Sequence, residues 1–437
     1  MTRLRLEPRD WDGAPRAAVD RSHAPGDHVP ALDGLRGAAM LLVLLNHLIA
    51  GPLETATLPI DAAVRTIAYA GWTGLDIFFV LSGFLITGIL LDTQGQPRWW
   101  PNFFVRRALR VFPVYYGALA ILFVLLPRLV RGHDPDFITL QANQRWYWTY
   151  TVNLLAAFTH GSGAPSNTAH FWSLSIEEQF YLIWPLIVWA CKPRTLLRVA
   201  VVTVVGGLAL RLGLVLHGPS DPFVLYMLTP CRLDGLMTGA ALAVVARAPG
   251  GLTRLEAWAP QVFRAGSLAL IATAIWRGGL DVGDPVVAVA GYPIVALVCG
   301  ALLVMAVRGP STRRYGRALR SNWLRKWGNY SYGIYIVHWP LLAWIEGKTN
   351  YFHEHGVALL GGSRLPAVLL LAAVGTSMSY TLGWLSYHLY EKRFLELKRY
   401  FGRQPAARVT ASLGAKPGHD ARAVAAAPLT YLADRPR

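Results

Sequence analysis

The sequence predicts an all-α fold, a polytopic membrane helix bundle of about ten transmembrane helices, and three observations carry that prediction. Of the 437 residues, 54% are hydrophobic and only 15% charged, against roughly 25% charged in soluble domains. Ten stretches approach the roughly 20 apolar residues that a helix needs to cross a hydrocarbon core about 30 Å thick. Basic residues collect in alternate connections between those stretches. Helices are expected rather than open strands because a helix satisfies its own backbone N–H and C=O groups in lipid.

Residues 1–30 are polar, contain Pro and Arg, and are expected to form a disordered cytoplasmic arm. The apolar run that follows has no convincing small-residue cleavage site and reads as an uncleaved first span. Spans are expected at 34–53, 71–91, 108–127, 171–190, 197–217, 226–247, 262–277, 286–307, 328–346 and 366–390, so that 31–396 form one membrane domain. Residues 397–437 lack a periodic apolar face long enough to pack and are expected to be a disordered cytoplasmic tail.

A formal charge of +17 raises nucleic acid as a partner, but the distribution of that charge argues for topology. The N-terminal arm, the 92–107 connection, the 191–198 turn and the 308–327 connection are rich in Arg and Lys, as is the C-terminal tail. The 52–70 and 278–285 connections carry at least as much acid as base. By the positive-inside rule both termini are cytoplasmic and the number of spans is even. The expected partner is therefore the lipid bilayer, not nucleic acid. Cys191, Cys231 and Cys299 fall in different spans without paired spacing, which gives them no disulfide or metal role.

Ionisable groups inside a bilayer cost about 2.5–3.5 kcal/mol each, so those that persist need partners or a task. His47 follows Arg36 by eleven residues, about 16 Å of helix rise, which puts Arg36 near the cytoplasmic side and His47 beyond the midplane. Asp76 in the second span, Glu177 and Glu178 in the fourth, and Arg232 with Asp234 in the sixth reach a similar depth. That shared layer supports an active site or an ion or proton pathway alike, while Arg232 with Asp234 also reads as an internal ion pair. His338, mid-span in SYGIYIVHWP, reads as a packing residue or one that supports the site from behind, rather than as a catalyst. Arg107 and Arg110, three apart on one helix face in FFVRRALRVFPVYY, are positive-inside anchors or a phosphate clamp, and Arg36 can join them. The separation between those arginines and His47 suits a long thioester such as acyl-CoA.

Seven segments in order resemble the acyltransferase-3 family of membrane acyltransferases: ALDGLRGAAMLLVLLNHL, GLDIFFVLSGFLIT, RRALRVFPVYY, FWSLSIEEQFYLIWPL, CRLDGLMTGA, SYGIYIVHWPL and SYHLYEKRF, covering roughly residues 31–396. The resemblance implies ten transmembrane helices, an acyl-CoA donor such as acetyl-CoA, no permanently bound cofactor, and O-acylation of a carbohydrate, glycolipid or macrolide hydroxyl. It implies His47 as the essential histidine, Arg36, Arg107 and Arg110 as the conserved arginines, and Glu178, with Glu177 beside it, as the acidic residue of the fourth span. The family's Tyr-Glu followed by Pro-Phe appears as Tyr390-Glu391-Lys392-Arg393-Phe394, without the proline. No Gly-x-Ser-x-Gly elbow is present, and the chain is expected to be a stand-alone membrane module.

Transfer to an alcohol needs a base, and an imidazole with an ordinary pKa of about 6.5 suits the task. His47 is the expected general base, oriented by Glu178, Glu177 or Asp76, with an acyl-imidazole on His47 as the competing mechanism. Ser82 in LSGF reads as a helix-packing residue rather than a nucleophile. The aromatic segment RWYWTYTVNLLAAF is either a sugar-stacking surface or an interfacial anchor. A proton-coupled transporter and a non-catalytic scaffold or flippase are the alternatives, although no internal repeat of broken helices supports transport.

Overall fold

Apolar runs bounded by Pro, Gly and basic residues become helices throughout the computed structural model, which describes residues 29–54, 58–129, 135–218, 221–359 and 362–401. The expected disordered arm and most of the expected tail lie outside the described residues. No strand occurs among the described residues. The principal helices are numbered here α1 (Pro30–Leu45), α2 (Pro59–Tyr69), α3 (Thr73–Thr93), α4 (Trp99–Ala120), α5 (Phe171–Ala190), α6 (Pro193–His217), α7 (Asp234–Val245), α8 (Ala259–Arg277), α9 (Tyr292–Arg308), α10 (Asn322–Leu359) and α11 (Leu365–Ser386).

Among the described residues, six helical stretches are long and apolar enough to cross a membrane: Pro30–Ala50, Pro59–Thr93, Trp99–Leu129, Pro193–His217, Val287–Arg308 and Leu365–Phe401. Val201, Val202 and Val205 on α6, and Leu268, Ile271 and Ile275 on α8, are exposed, the outward apolar band of a multi-pass membrane protein. The four other expected spans fall on α5, α7, α8 and α10.

The sixth expected span is corrected. Instead of one helix over 226–247, a short helix Pro222–Met227 is followed by a 3-10 turn Thr229–Cys231 and then by the twelve residues of α7. Pro230 has no N–H to continue a helix. Irregular backbone at this depth needs partners: Asn153 Nδ2 donates to the Met227 carbonyl at 3.2 Å, and Arg211 Nη1 donates to the Cys231 carbonyl at 2.5 Å.

The third expected span, α4, likewise starts at Trp99 rather than after a 92–107 loop, because Trp99 folds back to donate its indole N–H to the Leu90 carbonyl and to Thr93 Oγ1. Arg106, Arg107 and Arg110 are thus helical. Order also extends past residue 396: Arg106 donates to the carbonyls of Lys398 and Phe401, holding a last turn over Leu397–Phe401.

Two helix crossings position the site. A Cβ added to Gly37 of α1 would lie 2.0 Å from the Leu324 carbonyl oxygen, and one added to Gly328 of α10 would lie 1.9 Å from the Asp33 carbonyl oxygen. Only hydrogen on both helices lets α1 and α10 approach so closely. Gly83 of α3 and Gly239 of α7 play the same part, each with an added Cβ 2.0 Å from a carbonyl oxygen of the facing helix.

Candidate active site

At Asn46 the first helix changes to a π-helical turn, Asn46–Ala50, which carries His47. The wider turn re-aims the side chains it contains, and Asn46 anchors it by donating from Nδ2 to the Tyr69 carbonyl at 2.6 Å. His47 Nδ1 lies 2.8 Å from His338 Nε2, with the two rings stacked at 5.1 Å, and Trp339 covers His47 at a centroid distance of 3.9 Å. His338 is fully buried, and its Nδ1 is 2.7 Å from the Tyr335 carbonyl oxygen.

This chain of contacts determines the tautomers. A carbonyl only accepts, so His338 carries its hydrogen on Nδ1 and presents a lone pair at Nε2. His47 must then donate from Nδ1, which leaves its Nε2 as a free basic lone pair. The sequence places Pro340 two residues past His338, inside α10, where it removes the N–H that would bond Ile336 and crowds that carbonyl, loosening the turn beside the histidine. His47 lines a cavity of about 650 Å³ whose walls include Asn46, Tyr69, Trp72, His170, Tyr226 and Trp339.

Among the described residues, no carboxylate is hydrogen-bonded to His47. Asp76, expected as an orienting acid, accepts instead from Arg232 Nη2 at 3.0 Å. Arg232 is enclosed by aromatic rings, with Tyr292 at 4.3 Å and Tyr226 at 4.9 Å. The expected pairing of Arg232 with Asp234 is also corrected, since Asp234 receives Arg211 of α6 at 2.8 and 3.2 Å. Residues of equal depth satisfy partners on whichever face their helix turns inward, and α3, α6 and the segment before α7 turn theirs toward one another.

Glu177 and Glu178 line a second cavity, about 300 Å³, together with Ser82, Arg36, Arg107 and Arg110. The three arginines therefore converge as expected, and the glutamates join them rather than His47. Arg107 lies over the Tyr181 ring at 3.7 Å, Arg110 is 3.9 Å from Glu391, and Arg36 is 3.5 Å from Asp33. Glu391 also accepts from Ser386 Oγ at 3.1 Å, so it anchors Arg110 without the family proline. Ser82 donates to Glu177 at 2.7 Å and accepts from Tyr181 Oη at 3.0 Å, which occupies its hydroxyl, while its neighbour Gly83 provides the close packing. Leu75 and Tyr335 line both cavities and form the wall between them.

The aromatic segment of the 128–170 connection lines neither cavity. Tyr147 is buried, receives the Tyr115 hydroxyl on its carbonyl at 2.7 Å, and shares a hydrogen bond with Thr168 at 2.9 Å, while Tyr150 stacks on Tyr115 at 4.0 Å. Sequence reasoning allowed His338 a packing or supporting role without identifying it as the partner of His47, and it missed His170 in the cavity wall and Arg211. Arg211 carried a usable signal, a cation inside a 25-residue apolar helix. Among the described residues no His, Cys, Asp and Glu cluster fits a metal ion.

These features define a class, a multi-pass membrane protein with an oriented imidazole base in one cavity and an arginine cluster in the adjoining one. The family model described as an acyltransferase domain matches residues 29–388, and the chain belongs to that acyltransferase-3 family. It is 29% identical over 337 residues to the peptidoglycan O-acetyltransferase OatA of Listeria monocytogenes, covering 72% of this chain and 49% of that protein. It is 31% identical over 330 residues to the putative peptidoglycan O-acetyltransferase YrhL of Bacillus subtilis, again 72% and 49%, and 26% identical over 344 residues to the O-acetyltransferase OatA of Staphylococcus aureus, 75% and 53%. The chain thus spans about half the length of the curated relatives it matches. No solved structure matches.

Proposed function

We propose that this protein is an integral membrane O-acetyltransferase that moves an acetyl group from acetyl-CoA to a hydroxyl of a cell-envelope glycan, with peptidoglycan as the favoured acceptor. The observation that carries the proposal is the free Nε2 of His47, left basic by the hydrogen-bond chain through His338 to the Tyr335 carbonyl. The acceptor comes from the names of the three relatives.

In this reading Arg36, Arg107 and Arg110 hold the donor's phosphates, since guanidinium groups stay charged and bind phosphate oxygens in pairs. The pantetheine arm passes the wall at Leu75 and Tyr335 and brings the thioester to His47. Nε2 takes the proton of the acceptor hydroxyl as its oxygen attacks the thioester carbonyl carbon. The carbon–sulfur bond then breaks, and the imidazolium returns the proton to the coenzyme A thiolate. His338 orients His47 throughout. The bundle has ten spans with both termini cytoplasmic, so the donor cavity faces the cytoplasm and the acceptor enters from the opposite side.

The test is transfer from radiolabelled acetyl-CoA in membranes carrying wild type or His47→Ala, with peptidoglycan, lipids and secreted small molecules separated afterwards. Wild type labels the glycan, and His47→Ala lowers the rate by about 10²–10⁴-fold. Label in lipid or small molecules moves the acceptor to a glycolipid or macrolide. Equal labelling in both membranes would remove the His47 mechanism and bring transport or scaffolding forward.

A further inference from the structure

His170 belongs to the cavity of His47 but takes no part in the hydrogen bonds that orient it. It directly precedes α5, is 1% exposed and lines that cavity. Among the described residues, neither of its ring nitrogens meets a hydrogen-bond partner. Trp339 stacks on its ring at 5.6 Å and His338 meets it edge-on at 5.1 Å, so His47 and His170 flank the same two side chains. Its backbone is firmly held, the carbonyl accepting from Tyr335 Oη at 2.9 Å and from Ser173 Oγ at 3.2 Å.

Buried polar side chains are almost always hydrogen-bonded, and one left without a partner carries an uncompensated desolvation cost. The backbone carbonyls of Tyr335 and Ile336 lie beside the ring, but carbonyls satisfy only an N–H, and an imidazole that gives its hydrogen to them leaves the other nitrogen as an open acceptor. What satisfies that nitrogen has to enter through the cavity.

We propose that His170 binds a second hydroxyl of the acceptor, next to the one that His47 deprotonates, so that the site selects polyhydroxylated acceptors over simple alcohols and water. Two kinds of polar group reach this cavity during acyl transfer, the donor's thioester carbonyl and the acceptor's hydroxyls. The carbonyl accepts only. A hydroxyl both donates and accepts, and therefore matches His170 in either tautomer. The inference rests on the acetyl-transfer reading and adds a specificity residue to it; it requires no covalent role for His170.

The experiment measures two rates in membranes with radiolabelled acetyl-CoA: transfer to added uncross-linked peptidoglycan strands over a range of concentrations, and hydrolysis without strands. His170→Phe keeps a ring against Trp339 but removes both nitrogens, while His170→Gln keeps one donor and one acceptor. His170→Phe is expected to raise the apparent KM for strands about tenfold or more, the loss of one well-formed hydrogen bond, with hydrolysis within about twofold of wild type. His170→Gln is expected to recover most of that loss. An unchanged KM in His170→Phe overturns the inference, as does a parallel fall of hydrolysis and transfer in both variants, which marks a structural residue. Wild-type membranes that acetylate no strand in a His47-dependent manner overturn the acetyl-transfer reading and this inference with it, whereas His47-dependent transfer with unchanged KM overturns the inference alone.

Discussion

The orientation of His47 depends on a residue that the sequence marks only as packing or support. His338 accepts the Nδ1 hydrogen of His47, which leaves on Nε2 the lone pair that the proposed reaction uses. His338→Ala is expected to lower kcat for transfer by at least about tenfold, within the 10²–10⁴-fold attributed to positioned general bases, while leaving KM for acetyl-CoA near its wild-type value. A KM change without a kcat change would instead assign His338 to binding. The opposite split is expected at Arg107, whose guanidinium lies flat on Tyr181 beside Arg36 and Arg110. Lysine keeps the charge but loses the planar fork and the stacking, so Arg107→Lys should raise KM for acetyl-CoA roughly tenfold, the equivalent of about 1.4 kcal/mol, and move kcat little. Steady-state kinetics at varied acetyl-CoA decides both.

Helix crossings transmit small-residue chemistry to the site. Gly37 and Gly328 meet where α1 and α10 touch, and His47 and His338 meet ten residues further along the same two helices, about 15 Å of rise in each. A side chain at either glycine must push the helices apart and will disturb the histidine pair as well as the packing. Gly37→Val is expected to cost about 1–3 kcal/mol as an overpacked contact and to reduce acetyl transfer more than tenfold, measured by thermal unfolding in detergent together with activity. At the cavity rim, Asp221 caps the short helix that supplies Phe223 and Tyr226 to the wall. Burial alone would raise its carboxyl, but the hydrogen bond with His160 and the N–H groups of Val224 and Phe223 outweigh this and hold it below the usual carboxylate range. Its contribution is therefore complete above the unfolded value of about 3.9 and is lost as pH falls through the folded one. Asp221→Ala should cost about 1 kcal/mol near neutral pH, with mutant and wild-type unfolding temperatures converging as the pH falls through the folded value of Asp221.

For the molecule as a whole, the charge pattern predicts which connections face the cytoplasm, and this is tested by single cysteines in a background lacking Cys191, Cys231 and Cys299. A cysteine at Asp281 should react with an impermeant maleimide in intact cells, whereas one at Ser311 should react only after the membrane is opened. The reverse pattern would invert the positive-inside assignment. The sequence by itself determined the all-helical membrane class, the order of the apolar segments, the family, and the axial separation of Arg36 and His47, because hydropathy and a rise of 1.5 Å per residue are properties of the chain alone. It also brought Arg36, Arg107 and Arg110 to one side. What it could not determine is azimuth. Asp76, Glu178 and His47 were expected to share a layer, but a depth says nothing about which way a helix turns that residue, and the structure sends Asp76 to Arg232, Glu178 to the arginine cavity and His47 to His338. Only the tertiary structure, through glycine contacts that set how far each helix can rotate and approach, decided that His47 is oriented by a second histidine rather than by a carboxylate.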